Sequence, residues 1–306
     1  MKVLVATQKP FAPAAVRSIR DVIEKAGHEM AILEKYSGAD ALIEAAKDAD
    51  AIIVRSDIID AGILENAGNL KIVVRAGAGY DNVDLETAKA RGVVVQNTPG
   101  QNSNAVAELV FGMTVMAIRN MYDGTSGTEL RGKTLGIQAF GQVGRNVARI
   151  AKGFDMTVSA HDPFCPEDAM TEAGVTPVAA VEDLYRDNKF VSIHIPATPA
   201  TRGSIGYDLI TLMPEGGVLI NTARKEVIDE DGLMRALEAR PDIKYVADVK
   251  PDNADELKAR FAGRVFFTPK KMGAQTAEAN INAGIAAARQ IVAFLDHGEN
   301  RFQVNR

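Results

Sequence analysis

Short apolar runs rich in valine and isoleucine alternate with amphipathic stretches along nearly the whole chain, and this alternation constrains the fold most strongly. Residues 2–6, 51–54, 71–75 and 93–95 form such runs in the first third of the sequence. A strand that is apolar at every position is buried on both faces, and strands separated by helices are typical of parallel sheets with helical crossovers. The pattern therefore predicts an α/β protein built on parallel sheets.

The alternation is interrupted once, near residue 98. Asn97-Thr-Pro-Gly100 has the composition of a turn, and residues 102–120 then have the apolar periodicity of a long helix. A loop rich in glycine, serine and threonine follows, after which strands are predicted at 133–137, 156–160, 190–194, 217–220, 245–247 and 265–267, and a last helix at 276–297. Since a domain has about 150 residues, we expect two doubly wound parallel-sheet domains.

Composition and charge exclude several classes of protein. The hydrophobic fraction of 46% and the charged fraction of 25% are ordinary for globular chains. No apolar run approaches the roughly 18 residues of a membrane span, and the N-terminus lacks the apolar core of a signal peptide. The net charge of −5, with both signs scattered, favours no nucleic-acid partner. The single cysteine, Cys165, fits a reducing cytoplasm, and no histidine–carboxylate spacing suggests a metal site.

One glycine-rich turn indicates the cofactor. The predicted strand 133–137 runs into Ala139-Phe-Gly141-Gln-Val-Gly144, and a helix is predicted over 145–153. This is a dinucleotide-binding pattern in which Ala139 replaces the first glycine. Such a turn brings bare backbone close to a pyrophosphate and aims a helix N-terminus at the anion. We expect Ala139 to fit because the turn needs no positive φ there.

An acidic residue lies in the place that the pattern requires. Asp162 comes eighteen residues after Gly144, at the end of the next predicted strand. A carboxylate there can accept hydrogen bonds from both ribose hydroxyls and repels a 2′-phosphate, which favours NAD over NADP. The alternative is an ordinary strand–helix turn that binds nothing.

Seven further segments form a recognisable set. They are residues 74–84, Asn97-Thr-Pro, residues 129–136, His161-Asp-Pro163, His194-Ile-Pro196, Asn221-Thr-Ala-Arg224 and Ile228-Asp-Glu230. In this order, and over nearly the whole chain, they resemble the D-2-hydroxyacid dehydrogenases. Within that family the chain looks most similar to the short phosphoglycerate dehydrogenases.

The resemblance implies a Rossmann NAD-binding domain inserted into a flavodoxin-like substrate-binding domain. The substrate-binding domain would comprise residues 1–97 and 276–306, and the NAD-binding domain residues 98–275. The active site would lie in the cleft between them. A homodimer is also expected, with the helix 102–120 as a candidate interface.

The resemblance also implies the roles of individual residues. Arg224 matches the arginine that holds the substrate carboxylate and polarises the carbonyl, which suits a permanent planar cation. Ala76-Gly-Ala-Gly79 would offer backbone N–H groups to that carboxylate, which makes Ala76 and Gly77 substrate-binding residues. The expected cofactor-binding residues are Ala78, Gly141, Gln142, Val143, Gly144, Asp162, Ile195, Pro196, Thr222, Ala223, Asp248 and Gly273.

Two arginines suggest that the substrate carries a phosphate. Arg55 and Arg75 end two neighbouring predicted strands, at the sheet edge where ligand clefts form. Paired guanidinium groups suit a phosphate better than a bare hydroxy acid. The alternative is that they cap their strands and pair with Asp57 and Asp81.

The segment that should carry the family's proton donor departs from the pattern. The family has a histidine within Thr-Pro-His-x-Gly-Ala, whereas this chain has Thr268-Pro-Lys-Lys-Met-Gly273-Ala274. Counting back from Gly273 places Lys271 at the histidine position, and counting forward from Pro269 places Lys270 there. We favour Lys271 as the acid and base of the reaction and as a substrate-binding residue.

The family's carboxylate partner is also missing, because the spacing from Asp248-Val249 leads to Asn253. A histidine, with an ordinary pKa of about 6.5, needs a carboxylate to be charged near neutrality, whereas a lysine at about 10.4 does not. The two losses are therefore consistent with an Arg–Lys site, in which the lysine must be neutral for the oxidative direction. Asp252, Asp255 and Glu256 are candidates to replace the carboxylate, and nothing in the sequence selects among them.

The prediction is an NAD-dependent dehydrogenase that oxidises a small phosphorylated hydroxy acid, D-3-phosphoglycerate, at the entry to serine biosynthesis. Because the chain ends at Arg306, feedback by serine through a further C-terminal domain is not expected. Two alternatives stay open. One is a hydroxypyruvate or glyoxylate reductase of the same family, and the other is a catalytically weak NAD-binding module similar to a transcriptional co-repressor.

Overall fold

The computed structural model describes Met1–Arg306, and the chain forms two compact units. Unit 1 comprises Met1–Asn102 and Thr276–Arg306, and unit 2 is the continuous segment Ser103–Gln275. The chain leaves unit 1 at Asn102, whereas the sequence pattern placed this boundary at residue 97. None of the helices is both long enough and apolar enough to cross a membrane.

Unit 1 contains a five-stranded sheet in which every pair of neighbours is parallel. The strand order is β2-β1-β3-β4-β5, which is the flavodoxin-like order. Its elements are β1 (Lys2–Thr7), α1 (Pro13–Lys25), β2 (Glu29–Glu34), α2 (Ala39–Ala46), β3 (Ala51–Val54), α3 (Ala61–Asn66), β4 (Ile72–Arg75), α4 (Leu85–Ala90), β5 (Val94–Asn97) and α12 (Ala277–His297).

Helices cover both faces of this sheet, because its central strands are apolar at every position. On one face, α2, α3 and α4 bury side chains such as Leu42 and Ile63 against the sheet. On the other face, α1 and α12 pack through Ile19, Ala283 and neighbouring apolar residues. The unit therefore has two cores, one on each side of the sheet.

The last residues of the chain lie along β5. The N–H group of Val95 donates to Asn305 Oδ1 at 2.9 Å, and the N–H group of Val304 donates to the carbonyl of Val95 at 2.9 Å. Gln96 and Gln303 form an antiparallel bridge. This segment thus occupies hydrogen-bonding groups of β5 that the sheet itself leaves open.

Unit 2 contains a seven-stranded sheet whose neighbours are also all parallel. The strand order is β12-β11-β10-β9-β6-β7-β8, and this is the Rossmann order extended by one strand. Its elements are α5 (Ser103–Ile118), β6 (Thr134–Gln138), α6 (Gln142–Gly153), β7 (Thr157–His161), α7 (Glu167–Glu172), β8 (Thr176–Pro177), α8 (Val181–Asp187), β9 (Phe190–Ile193), α9 (Tyr207–Ile210), β10 (Val218–Asn221), α10 (Glu230–Ala239), β11 (Lys244–Ala247), α11 (Ala254–Arg260) and β12 (Val265–Phe267).

Helix α5 ends in a turn of the opposite hand. Asn120, Met121 and Tyr122 have φ values of 51°, 53° and 60°, a backbone conformation that residues other than glycine rarely adopt. Lys244 stabilises the end of the helix, since its Nζ donates to the carbonyl of Ala117 at 2.7 Å and to Asn120 Oδ1 at 2.8 Å. The carbonyls that a helix end leaves open are in part satisfied in this way.

The predicted fold class is confirmed, since both sheets are parallel and doubly wound. Two strands escaped the sequence pattern, namely β2 and the two-residue β8. β2 is an edge strand with charged residues at both ends and only Met30 fully buried, so it lacks the continuous apolar run that identified the central strands.

Candidate active site

The glycine-rich turn joins β6 to α6 at the carboxyl edge of the unit 2 sheet. Ala139 has a φ of 80°, so the expectation that this turn needs no positive φ at Ala139 is wrong. The turn is held in place because the N–H group of Ala139 donates to the carbonyl of His161 at 2.9 Å. A left-handed alanine costs roughly 1–2 kcal/mol, so the alanine carries a strain that glycine would avoid.

The two remaining glycines of the turn serve different purposes. A Cβ atom at Gly144 would lie 2.4 Å from the carbonyl oxygen of Ala139, so the packing of the protein itself requires glycine there. A Cβ atom at Gly141 would meet nothing within 4 Å. The packing of the protein itself therefore does not require glycine at Gly141, and the open space there fits a backbone that a pyrophosphate approaches.

The first turn of α6 presents free backbone donors. Gly141 is the N-cap and no side chain caps the helix. The first helical bond runs from the N–H group of Arg145 to the carbonyl of Gly141, so the N–H groups of Gln142, Val143 and Gly144 have no acceptor in the chain. Open donors at a helix N-terminus favour an anion, and these residues thus fit the phosphates of a dinucleotide.

Asp162 follows β7 and connects the glycine-rich turn to the next loop. Its Oδ2 accepts from the N–H group of Phe140 at 2.8 Å, and its Oδ1 accepts from the N–H group of Phe164 at 2.9 Å. Each oxygen of a carboxylate has a second lone pair. The side chain is half-buried, so it can still accept from ribose hydroxyls in the way the sequence predicted.

The segment after β9 contains predicted cofactor residues and a neutral histidine. Pro196 accepts from Thr201 Oγ1 at 2.5 Å, and Ile195 lies between Pro196 and His194. The Nε2 atom of His194 lies 2.9 Å from Ser192 Oγ, and its Nδ1 lies 3.5 Å from Thr222 Oγ1. Burial lowers the pKa of His194 to about 3, so this imidazole is uncharged at neutral pH.

The predicted catalytic residues Arg224 and Lys271 converge on one backbone carbonyl. Arg224 Nη1 donates to the oxygen of Ala223 at 2.9 Å, and Lys271 Nζ lies 3.4 Å from the same atom. Both side chains are exposed in unit 2. Of the two lysines that the sequence left as alternatives, Lys271 is the one that shares an acceptor with Arg224, and this favours Lys271 over Lys270.

The loop that carries Lys271 is held by Asp248. This buried carboxylate accepts from Thr268 Oγ1 at 2.9 Å, from the N–H group of Met272 at 2.7 Å and from the N–H group of Gly273 at 2.8 Å. A Cβ atom at Gly273 would lie 3.0 Å from Asp248 Oδ2. Asp248 and Gly273, which the sequence singled out only as cofactor residues, therefore fix the position of Lys271.

Asn221 fixes the backbone turn that carries Arg224, as Asp248 fixes the loop that carries Lys271. The sequence analysis assigned no role to Asn221. Its Oδ1 accepts from the N–H group of Ala223 at 2.9 Å, and its Nδ2 donates to the carbonyl of Arg224 at 2.9 Å. Asn221 is fully buried at the end of β10. A polar residue that closes an apolar strand was the available signal, because such a residue needs internal partners.

The three carboxylates considered as replacements for the missing one pair with other cations. Asp252 lies 2.5 Å from Lys225, Asp255 lies 3.2 Å from Lys250, and Glu256 lies 3.1 Å from Arg260. All three are exposed ion pairs. Asn253 lies at the N-cap of α11, and its Oδ1 is buried without a hydrogen-bond partner.

At the carboxyl edge of unit 1, Arg55 and Arg75 lie close together. Arg55 donates to the carbonyls of Lys9 and Pro10 and to Asn280 Oδ1, and Arg75 Nε donates to the carbonyl of Arg55 at 2.9 Å. Neither guanidinium forms a salt bridge with a carboxylate, although the charge of Asp57 acts on Arg55 and that of Asp81 acts on Arg75. The alternative pairing with Asp57 and Asp81 is therefore present as an electrostatic interaction without direct contact. Burial, together with the charge of Arg55, lowers the pKa of Arg75.

The glycine-rich loop after β4 offers fewer amides than expected. The N–H group of Ala76 donates to the carbonyl of Val54, and that of Gly77 donates to the carbonyl of Arg75. The expectation that Ala76 and Gly77 present free N–H groups is therefore wrong. The N–H groups of Ala78 and Gly79 have no acceptor in the chain and are the available donors.

Comparison with known proteins places this arrangement in a family. Residues 105–269 match the family model described as "D-isomer specific 2-hydroxyacid dehydrogenase, NAD binding domain". A hydroxypyruvate reductase of Thermotoga maritima is 36% identical, over 78% of this chain and 80% of its own length. The chain belongs to the D-2-hydroxyacid dehydrogenases. Its unit 2 contains the NAD-binding domain of that family.

Two further members of the family are similar to this D-2-hydroxyacid dehydrogenase. A D-3-phosphoglycerate dehydrogenase of Methanocaldococcus jannaschii is 36% identical over 75% of this chain, but the match spans only 46% of the length of that relative. The NAD⁺-bound 3-phosphoglycerate dehydrogenase of Entamoeba histolytica is 47% identical, with a TM-score of 0.86, over 100% of this chain and 99% of that one. Both units of the fold are thus shared with a solved member of the family.

Proposed function

We propose that this D-2-hydroxyacid dehydrogenase oxidises D-3-phosphoglycerate to 3-phosphohydroxypyruvate with NAD, at the entry to serine biosynthesis. The observation that carries the proposal is the pair Arg55 and Arg75, two half-buried guanidinium groups that form no salt bridge with a carboxylate. A phosphate binds such a pair through charge-assisted hydrogen bonds. The phosphoglycerate dehydrogenases among the relatives support the same substrate.

The cofactor would be held by the turn and helix N-terminus described for unit 2. Gln142, Val143 and Gly144 offer N–H groups to the pyrophosphate, Gly141 leaves room for it, and Asp162 accepts from the ribose. When bound, NAD supplies the acceptor for the hydride of the substrate. Ile195, Pro196, Thr222 and Ala223 stay predicted contacts of the cofactor, as does Ala78.

Arg224 and Lys271 would act on the reacting carbon of the substrate. Arg224 holds the carboxylate and polarises the oxygen at C2, since its charge is permanent. Lys271 Nζ takes the proton of the C2 hydroxyl during oxidation and returns it during reduction. Both side chains approach the carbonyl oxygen of Ala223, so one can bind the substrate carboxylate while the other exchanges a proton with the C2 oxygen.

The free amides of Ala78 and Gly79 would add donors for anionic groups of the substrate or the cofactor. They follow Arg75 directly, so an anion held by the two arginines lies close to these amides. The homodimer and the cytoplasmic location expected from the sequence stay predictions. A hydroxypyruvate reductase is the second candidate, favoured by the relative in T. maritima.

The experiment is the oxidation of NADH with 3-phosphohydroxypyruvate, compared with hydroxypyruvate, glyoxylate and pyruvate. We expect the phosphorylated acid to have the highest kcat/KM. In Arg55→Gln this preference should fall by about 10- to 100-fold, which corresponds to the loss of one charge-assisted hydrogen bond. The kcat/KM for hydroxypyruvate should change little.

Two results would contradict the proposal. A preference for an unphosphorylated acid in the wild type would favour the reductase and remove the argument from Arg55 and Arg75. The absence of turnover on every acid, with NADH still bound, would favour the binding module without catalysis. Binding of NADH, followed by its fluorescence, distinguishes the second outcome from a protein that has lost its cofactor site.

A further inference from the structure

Unit 1 has a cleft apart from the pair Arg55 and Arg75, on the face of the sheet that α2 and α3 cover. Its volume is about 270 Å³, and residues that follow β1, β2 and β3 line it together with the start of α2. This position is the carboxyl edge of the sheet, where the strand order reverses between β1 and β3. Ligands of open parallel sheets bind at such reversal points.

This cleft is distinct from the pair of arginines. Arg55 directs its guanidinium to Pro10 and Asn280, beside the N-terminus of α12. Asp57, two residues later, directs its carboxylate to Tyr36, on the side of α2. The two side chains therefore serve opposite faces of the sheet, and Asp57 but not Arg55 lines the cleft.

Asp57 has an unmet hydrogen-bonding need. The residue is only 5% exposed, and its Oδ1 accepts from the N–H group of Gln8 at 2.7 Å and from Tyr36 Oη at 2.7 Å. Its Oδ2 is buried and has no hydrogen-bond partner. The charge of Asp57 acts on Arg55, but the two side chains form no salt bridge. A buried anion with an orphaned oxygen is costly unless a donor or a cation joins it.

The start of α2, in the same cleft, favours a negative charge, whereas Asp57 favours a positive one. The N-cap of this helix is Gly38, and no side chain caps its first turn. The N–H groups of Ala39, Asp40 and Ala41 have no acceptor in the chain. Open amides at a helix N-terminus favour an anionic group, so the cleft offers one end to a cation and another to an anion.

We propose that this cleft binds a small zwitterionic α-amino acid. Its ammonium group donates to Asp57 Oδ2, its carboxylate accepts from the amides of α2, and its side chain packs on Leu42 and Ile63. The volume lies just below the roughly 300 Å³ at which clefts begin to hold drug-sized ligands, so a small molecule fits best.

Entry of the ammonium group requires a local movement, because Oδ2 is closed to solvent. Ile58 lines the cleft and is 66% exposed despite its apolar side chain, so we expect this side chain to move aside. A bound ligand thus displaces the Ile58 side chain, which is exposed to solvent at the cleft. Binding at this place does not depend on the dehydrogenase reaction proposed above.

The test measures binding to the full-length protein by calorimetry and by thermal unfolding. The probes are L-valine, isobutylamine, which lacks the carboxylate, and isovalerate, which lacks the ammonium group. We expect L-valine to bind and to raise the unfolding temperature, and each half-molecule to bind at least about 10-fold more weakly, since each loses one charge-assisted contact.

Variants locate the site. Asp57→Asn should weaken L-valine by about 10-fold or more, and Ala39→Phe, which fills the cleft from an exposed position, should abolish binding. His297→Gln, at an exposed residue that does not line the cleft, should leave it unchanged. Failure of L-valine to bind the folded wild type, equal binding of a half-molecule, or unchanged binding in both Ala39→Phe and Asp57→Asn would overturn the proposal. Ala39→Phe decides the matter if Asp57→Asn does not fold.

Discussion

At the scale of single residues, the position of Lys271 depends on buried groups that do not themselves react. Asp248 holds the loop on which Lys271 lies, and Asn221 holds the turn on which Arg224 lies. The two flexible side chains therefore start from rigid backbone and meet at the carbonyl of Ala223. Such support is what a site needs in order to place a proton donor within reach of one oxygen.

The role of Lys271 can be tested with the neighbouring lysine as a matched control. Lys271→Met should lower kcat by about 10²- to 10⁴-fold, which is the usual contribution of an acid–base group. The affinity for NADH should stay the same, because Lys271 lies outside the glycine-rich turn and the helix N-terminus that we propose hold the pyrophosphate. Lys270→Met should retain turnover. Stopped assays of NADH consumption and fluorescence titrations measure the two quantities.

Equal turnover in Lys271→Met and the wild type would exclude Lys271 as the proton donor. A loss confined to Lys270→Met would exchange the two assignments. Loss of turnover in both variants, with normal unfolding temperatures, would mean that the loop as a whole and not one amine carries the effect.

The two glycines of the nucleotide turn make a second pair of contrasting substitutions. Gly141→Ala should weaken NADH by about 10-fold or more while the unfolding temperature stays the same, because the added methyl meets only the ligand. Gly144→Ala should lower the unfolding temperature, because the methyl would lie 2.4 Å from the carbonyl of Ala139. Fluorescence titration and thermal unfolding of both variants test this contrast. Unchanged NADH affinity in Gly141→Ala would exclude the pyrophosphate from this turn.

Residue-level prediction from the sequence failed where backbone geometry decides. The glycine pattern located the turn, but no pattern shows that Ala139 has a φ of 80°. In the same way, the sequence identified the loop 76–79 as a source of free N–H groups. Only the structure shows that the N–H groups of Ala76 and Gly77 donate to the carbonyls of Val54 and Arg75. Hydrogen bonds between distant strands and loops leave no trace in local composition.

At the scale of elements, α5 has more apolar surface than unit 2 covers. Leu109, Val115 and Met116 are half-buried, and Gly112 is exposed among them on the same helix. An apolar face of this kind is typical of an interface between subunits. It supports the homodimer that is expected from the resemblance.

Gly112 offers a clean way to test that interface. A Cβ atom at this position meets nothing within 4 Å in the chain, so Gly112→Gln should fold normally but separate two subunits that pack through α5. Gly153→Gln, also in open space on a helix, is the matched control and should not change the mass in solution. Light scattering after size exclusion measures the mass. A dimer that persists in Gly112→Gln would place the interface elsewhere.

Strands were predicted well where nearly all of their residues are buried in apolar surroundings. The central strands β3, β4, β9 and β10 are buried at nearly every position, so their apolar runs identified them. The short helices and edge strands are specified by contacts with other parts of the chain. The sequence did not predict the left-handed turn at 120–122. The apolar periodicity extended the helix to residue 120, and no residue of the turn except Asn120 favours positive φ.

At the scale of the whole molecule, His194 makes stability depend on pH. The folded state holds this histidine neutral, with a pKa of about 3 against 6.5 for a free histidine. The unfolded state therefore binds more protons between these values, and stability that is complete above pH 6.5 is lost as the pH falls towards 3. At pH 5 the loss from this residue amounts to as much as about 2 kcal/mol.

Urea unfolding at neutral pH and at about pH 5 checks this expectation. The loss of stability between the two should be smaller in His194→Gln than in the wild type. His297→Gln removes an exposed histidine and should behave as the wild type does. An identical loss in all three proteins would show that His194 is protonated in the folded state as readily as in the unfolded state.

The pairing of the last residues with β5 has a consequence for the behaviour of the protein at high concentration. A strand at the border of a sheet is a template on which a second molecule can add its own strand, and this is a common route to aggregation. Here the bonds from Val304 and Asn305 already occupy Val95, and Asn305 also donates to the carbonyl of Val93. The chain thus closes this border of unit 1 with its own segment, and β5 is withheld from association with other copies.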